Sequence, residues 1–203
     1  MNHPVVSVAR RGDLAVVTID SPPVNALSVN VRTGLLTAFT GLVGDAGVAG
    51  VVLACAGRTF VAGSDIAEFD SPVFDESDLN DVCAAIESLG KPVVCALHGT
   101  TLGGGLELAT SAHLRVAERS AYYGLPEGQR GIFVGGGGSV RVPRLMGVAR
   151  MTDMMLTGRV YDRDEGVQAG LAQYAVADGA GFERALELAR RIAGNAPMSN
   201  FAV

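Results

Sequence analysis

Apolar positions along the chain follow two rhythms. Val5–Val8 and Leu14–Ile19 are β-rich runs separated by Gly12-Asp13, which predicts a hairpin. Ser28 precedes Val31, Leu35, Leu36, Phe39 and Leu42, nearly one helical face, so a capped helix is expected there. Val51–Cys55 is a short continuous apolar run of the kind found in strands buried on both faces. The pattern then repeats, with a helix over Asp78–Leu89, a strand over Val93–Leu97, a helix over Leu106–Ala112 and a strand over Leu114–Ala117. Beyond Gly135 the chain reads as helical, apart from a brief strand at Tyr174–Val176. Asp178–Ala193 is expected to be a helix with Ala185, Leu188, Ala189 and Ile192 on its apolar face, and Ser199 to cap another. Strands alternating with helices predict an α/β fold with a largely parallel sheet, in one domain spanning residues 1–203.

Composition narrows the function classes. Hydrophobic residues make up 48% of the chain and charged residues 18%, enough for a core and incompatible with intrinsic disorder. A net charge of −5 argues against a nucleic-acid partner. No apolar run reaches the roughly 18–20 residues of a membrane span, and Met1-Asn2-His3-Pro4 is not a secretory leader, so a cytoplasmic protein is expected. Cys55, Cys83 and Cys95 lack CxxC spacing, and His3, His98 and His113 lack ligand spacing, so neither a disulfide framework nor a metal site is expected. Lys91 is the sole lysine.

Two glycine-rich loops follow predicted buried strands: Phe60-Val61-Ala62-Gly63-Ser64-Asp65-Ile66 and Leu102-Gly103-Gly104-Gly105-Leu106-Glu107. Ligands bind at the carboxyl ends of parallel strands, and glycine lets a backbone approach them closely. The second loop opens a helix whose first amides lack internal partners, so one amide from each loop would suit an oxyanion. The plain alternative is a pair of tight turns. Glu107 sits among apolar neighbours, and Glu127 follows Pro126 ahead of a glycine-dense stretch. Two carboxylates facing one pocket suit acid–base work, while helix capping and an ordinary loop charge remain the alternatives. Neither loop is a P-loop, a dinucleotide fingerprint or a nucleophile elbow.

The segments FVAGSDI (60–66), HGTTLGGGLELA (98–109), YYGLPEGQRGI (122–132) and LTGRVYDRDEGVQAGL (156–171), with PPVNAL (22–27), together resemble the crotonase, or enoyl-CoA hydratase/isomerase, superfamily. The resemblance is collinear and covers almost the whole chain. It implies a spiral of ββα repeats and an acyl-CoA thioester substrate, with no cofactor beyond the coenzyme A of the substrate itself. It implies an oxyanion hole from the backbone amides of Ser64 and Gly104. Glu107 and Glu127 match the two glutamates of the family's hydratases, Glu107 helping to activate water and Glu127 delivering a proton to the α-carbon. Asn25, Ala26 and Leu27, with Ala62, Gly63, Asp65 and Ile66, would hold the CoA portion largely through backbone groups. Tyr122 and Tyr123 would flank the pocket, with core packing the safer assignment for both over contact with acyl carbons.

Two departures stand out. Phe133-Val134 replaces a small residue and proline, and the chain ends at Val203, ahead of the helices that usually complete the family's pocket. The C-terminal helical region is therefore expected to be incomplete, and a homotrimer or hexamer is the expected assembly. Two glutamates favour an enoyl-CoA hydratase. An enoyl-CoA isomerase, or a non-catalytic acyl-CoA-binding or assembly module, are the competing readings.

Overall fold

A computed structural model of the chain describes residues 3–68 and 77–201. Strands β1 (Val6–Arg11) and β2 (Leu14–Ile19) form the expected hairpin, in register from Val6 opposite Ile19 to Arg11 opposite Leu14. β3 (Gly50–Cys55), β4 (Val93–Leu97), β6 (Leu114–Glu118) and β9 (Tyr174–Val176) continue the sheet in parallel, giving the order β1-β2-β3-β4-β6-β9. A second, small sheet joins β5 (Thr100–Leu102), β7 (Tyr122–Gly124) and β8 (Tyr161–Asp162).

Strands β2 to β4 of the large sheet are apolar on both faces because each face is covered. Val17, Val51, Leu53 and Cys95 point into a core shared with α1 (Val29–Leu42), α2 (Ser77–Glu87) and α3 (Gly104–Ser111). Val16, Val52 and Val94, one residue out of phase, meet α7 (Gly181–Ala193) on the other side. That phase relation explains why the strands read as continuous apolar runs.

The repeats expected of a spiral are visible in the smaller sheet. After β3 the chain makes isolated bridges through Val61 to Thr101 and through Ser64 to Leu27; after β4 it forms β5, and after β6 it forms β7. Each turn thus lays one strand in the large sheet, a short second piece of strand, and then a helix. α4 (Gly138–Met146), α5 (Val148–Thr157) and α6 (Arg163–Ala169) complete the layers around β7 and β8.

Helix ends follow local chemistry. Ser28 caps α1 by accepting from Val31 N, and Asp162 with Glu165 forms a capping box on α6. The Lys91 amine donates to Leu42 O at 2.5 Å and to Asp45 O at 2.6 Å, closing the far end of α1. Two expected starts move. α7 begins at Gly181 rather than Asp178, because Asp178 accepts from Ser120 N and Glu118 takes the first helical amide, Gly181 N. The last helix, α8 (Pro197–Phe201), has Pro197 at its first position, so Ser199 lies inside it and is not its cap. Ile192 is only half-buried, while Ala185, Leu186, Leu188 and Ala189 form the buried face of α7. Among the described residues, no helix is long and apolar enough to cross a membrane.

Candidate active site

Both glycine loops leave the small sheet side by side. Leu27 N donates to Gly63 O at 2.9 Å, and Gly103 N donates to Gly124 O at 2.9 Å, so each loop is fixed by its neighbour in the ladder. Gly103 has φ +53°, ψ −126°, a backbone suited to glycine, and this turns the chain straight from β5 into α3. Gly105 packs against the bridge at Val61, where a β-carbon would lie 2.8 Å from Val61 Cβ and run into its carbonyl oxygen. A β-carbon on Gly104 would sit 3.3 Å from Ser64 Oγ and 3.1 Å from Leu27 Cδ1, which brings the two loops into contact.

Among the described residues, neither Ser64 N nor Gly104 N donates to a backbone acceptor. Gly104 is the first residue of α3, and its amide lies at the positive end of the helix. Ala62, Gly63, Ser64, Ile66, Leu102, Gly103, Gly104, Pro126, Glu127 and Arg130 line a cavity of about 140 Å³. Glu127 is only 5% exposed, and its Oε1 lies 3.0 Å from where a β-carbon on Gly103 would stand. It opens a single 3-10 turn, Glu127–Arg130, directly after β7 and Pro126.

Glu107 takes a different position. Its side chain, 3% exposed, leaves the first turn of α3, and Oε1 accepts from Gly138 N at 2.8 Å, at the start of α4. β-carbons on Gly136 and Gly138 would lie 2.8 and 2.9 Å from its two carboxylate oxygens. The glycine run therefore lets a backbone close over this carboxylate. Glu107 adjoins the cavity through Gly103 and Gly104, but is not one of its lining residues.

The other expected contacts divide. Ala62, Gly63 and Ile66 line the cavity, whereas Asn25, Ala26, Leu27 and Asp65 do not. The Asn25 amide is buried and engaged, accepting from Ser21 N at 2.8 Å and donating to Ala56 O and Thr59 O at 2.9 and 2.8 Å. Leu27 is fully buried, and Asp65 accepts from Ala67 N. What these residues can offer a ligand is backbone. Of the two tyrosines, Tyr123 lies wholly in the core, as the packing assignment expects, while Tyr122 bonds Thr100 Oγ1, and neither lines the cavity. Their alternation on β7 puts one face inward and the other outward. Phe133 is 69% exposed and only Val134 is buried. Arg130 is a lining residue the sequence reading missed; its signal was a lone cation three residues after Glu127, at the end of one short turn.

The Cys83 thiol beside Glu107 is buried. Burial pushes the Cys83 thiol up to about 12, and Cys83 Sγ is directed at Glu107 O. Among the described residues, no cluster of three histidine, cysteine or carboxylate side chains is placed to hold a metal ion.

Residues 9–202 match the family model described as enoyl-CoA hydratase/isomerase. A probable enoyl-CoA hydratase from Bacillus subtilis (strain 168) is 36% identical over 201 residues, covering 96% of this chain and 78% of that protein. The crystal structure of a putative enoyl-CoA hydratase from Rhodopseudomonas palustris CGA009 superposes with a TM-score of 0.90 at 44% identity, covering 98% of this chain and 78% of that one. A monofunctional enoyl CoA isomerase from M. smegmatis superposes with a TM-score of 0.86 at 30% identity, covering 98% of this chain and 90% of that one. With its ladder of short strands and paired glycine loops, this chain belongs to the enoyl-CoA hydratase/isomerase family.

Proposed function

We propose that the protein hydrates a 2-enoyl-CoA. The observation that carries this reading is one small cavity bordered by two amides that, among the described residues, lack backbone acceptors, and by the buried carboxylate of Glu127, with Glu107 in the same first turn of α3 as Gly104. The thioester oxygen accepts from Ser64 N and Gly104 N, which favours the enolate-like form that develops during reaction. Glu107 takes a proton from water as its oxygen bonds to the β-carbon. Glu127 delivers a proton to the α-carbon, and the thioester carbonyl re-forms. The backbone of residues 25–27 and 62–66 holds the CoA portion. The reaction calls for no cofactor or metal.

Isomerisation of an enoyl-CoA is the second reading, supported by the likeness to the M. smegmatis isomerase. It uses the same amides and one base, without addition of water. Incubation with crotonyl-CoA in ¹⁸O-water separates the two. A 3-hydroxyacyl product carrying ¹⁸O is expected; double-bond migration without ¹⁸O uptake assigns the isomerase, and binding without either reaction assigns a non-catalytic acyl-CoA module. A homotrimer or hexamer belongs to the same proposal, supported by the exposed apolar side chains of Val148, Leu156 and Met198, at 71%, 79% and 75%. Sedimentation tests it, and a monomer overturns it.

A further inference from the structure

Strand β6, between β4 and the edge strand β9, carries a residue that its apolar surroundings do not explain. Arg115 is 2% exposed, and its neighbours Val116 and Ala117 are fully buried. No carboxylate among the described residues pairs with it. Its guanidinium binds carbonyls instead: Nε donates to Leu171 O at 2.7 Å, and Nη1 to Ala112 O at 2.6 Å and Ala109 O at 3.4 Å. Ala109 and Ala112 belong to the last turn and C-cap of α3, the negative end of that helix. Burial lowers the pKa of Arg115, the direction expected of a cation held without a counter-ion.

α3 has eight residues, all buried, too few to hold a helix by propensity alone. Its first residue is Gly104 and its fourth is Glu107. Anything that fixes its last turn therefore fixes both groups, Gly104 about 12 Å and Glu107 about 7.5 Å of helix from Ala112. Leu171 extends the hold. Leu171 N donates to Gly166 O, and Gly166 packs under the Tyr123 ring on β7, the strand that leads to Glu127.

We infer that Arg115 is a positioning residue for the reaction, clamping the carbonyl end of α3 so that the Gly104 amide meets the thioester oxygen in line with Ser64. It touches no substrate. The inference rests on the functional reading above.

The test uses Arg115→Met and Arg115→Lys, with Leu186→Ala in the α7-side core as a variant destabilised away from the site. Steady-state hydration of crotonyl-CoA is measured alongside the infrared carbonyl stretch of bound, unreactive butyryl-CoA carrying ¹³C at the thioester carbon. In the wild type, donation from two amides moves that stretch to lower frequency. Arg115→Met is expected to lower kcat by about 10- to 100-fold with KM nearly unchanged, and to reduce the downshift. Arg115→Lys keeps the charge but cannot span all three carbonyls, so it recovers part of both. Leu186→Ala unfolds more easily but keeps the wild-type kcat and stretch.

A folded Arg115→Met with wild-type kcat and stretch overturns the inference. Should that variant not fold, a folded Arg115→Lys with both values unchanged overturns it equally. If Leu186→Ala lowers kcat and the downshift as much as Arg115→Met, the effect is general destabilisation and the inference fails. A wild type with neither hydration nor downshift overturns the functional reading, and this inference with it; a normal wild type beside unaffected variants overturns this inference alone.

Discussion

The two loops that supply the candidate oxyanion amides are built in opposite ways. The Gly103–Gly105 loop runs into a helix with every residue buried, held at its start by Gly124 and Val61 and at its end by Arg115. The Ala62–Asp65 loop leads to a 3-10 turn at Ile66–Glu68 with no buried residue, and Ile66 is 62% exposed. It is held by the Leu27–Ser64 bridge and by Glu68, which accepts from Val29 N at 2.7 Å and pairs with Arg32 at 3.0 Å. One amide is placed by packing that leaves no room for a methyl group. The other is placed by a few polar ties at the rim of the fold.

That contrast is broken most directly at Gly105. Gly105→Ala puts a carbon against the Val61 carbonyl inside a packed region, so a loss of about 1–3 kcal/mol in urea unfolding is expected, together with the loss of enoyl-CoA hydration. A stable, active Gly105→Ala would mean that the Gly103–Gly105 loop is as forgiving as the Ala62–Asp65 loop. Glu127→Gln sharpens the picture by leaving the packing alone. It should lower kcat by roughly 10²–10⁴ with little change in unfolding, and an unchanged rate would reduce Glu127 to a structural carboxylate.

Smaller effects on activity are expected at the Ala62–Asp65 loop. Glu68→Ala removes an acceptor from Val29 N and a partner from the buried Arg32, so a cost of about 1–3 kcal/mol is expected. Its kcat should fall about tenfold as the Ser64 amide drifts; full activity would show that the bridge to Leu27 suffices. Ser64→Ala keeps the amide, and should stay within about 0.5 kcal/mol and a few-fold in kcat. Abolished activity in a folded Ser64→Ala would make the hydroxyl a participant and overturn the backbone assignment.

The sequence disclosed what periodicity and capping can carry. The long apolar strands and the Ser28 cap stand where the pattern put them, as does the α/β class with its largely parallel sheet. The pieces missed, β5, β7 and β8, span two or three residues each, too short for alternation to show. Their pairing is decided by residues distant in sequence, as with Thr101 opposite Tyr123. Asp178 reads as the start of a helix because periodicity is local, while the partner that draws it away, Ser120, lies on another turn of the spiral. At the site, the motifs brought out Ser64, Gly104, Glu107 and Glu127. They gave no sign that Glu107 reaches for Gly138 while Glu127 lines the cavity, because thirty residues of intervening chain set that arrangement.

The tie between Lys91 and the end of α1 has a practical consequence. An amine-directed reagent meets only one lysine side chain in this sequence, and its nitrogen is held by two carbonyls. Partial burial lowers its pKa in the closed state, and the nitrogen is open to a reagent only when those bonds break. The acylation rate of Lys91, followed by mass, is therefore a built-in clock for how often the first helix lifts at its end. It can be timed with and without an acyl-CoA bound, on the protein as it stands, without introducing a label.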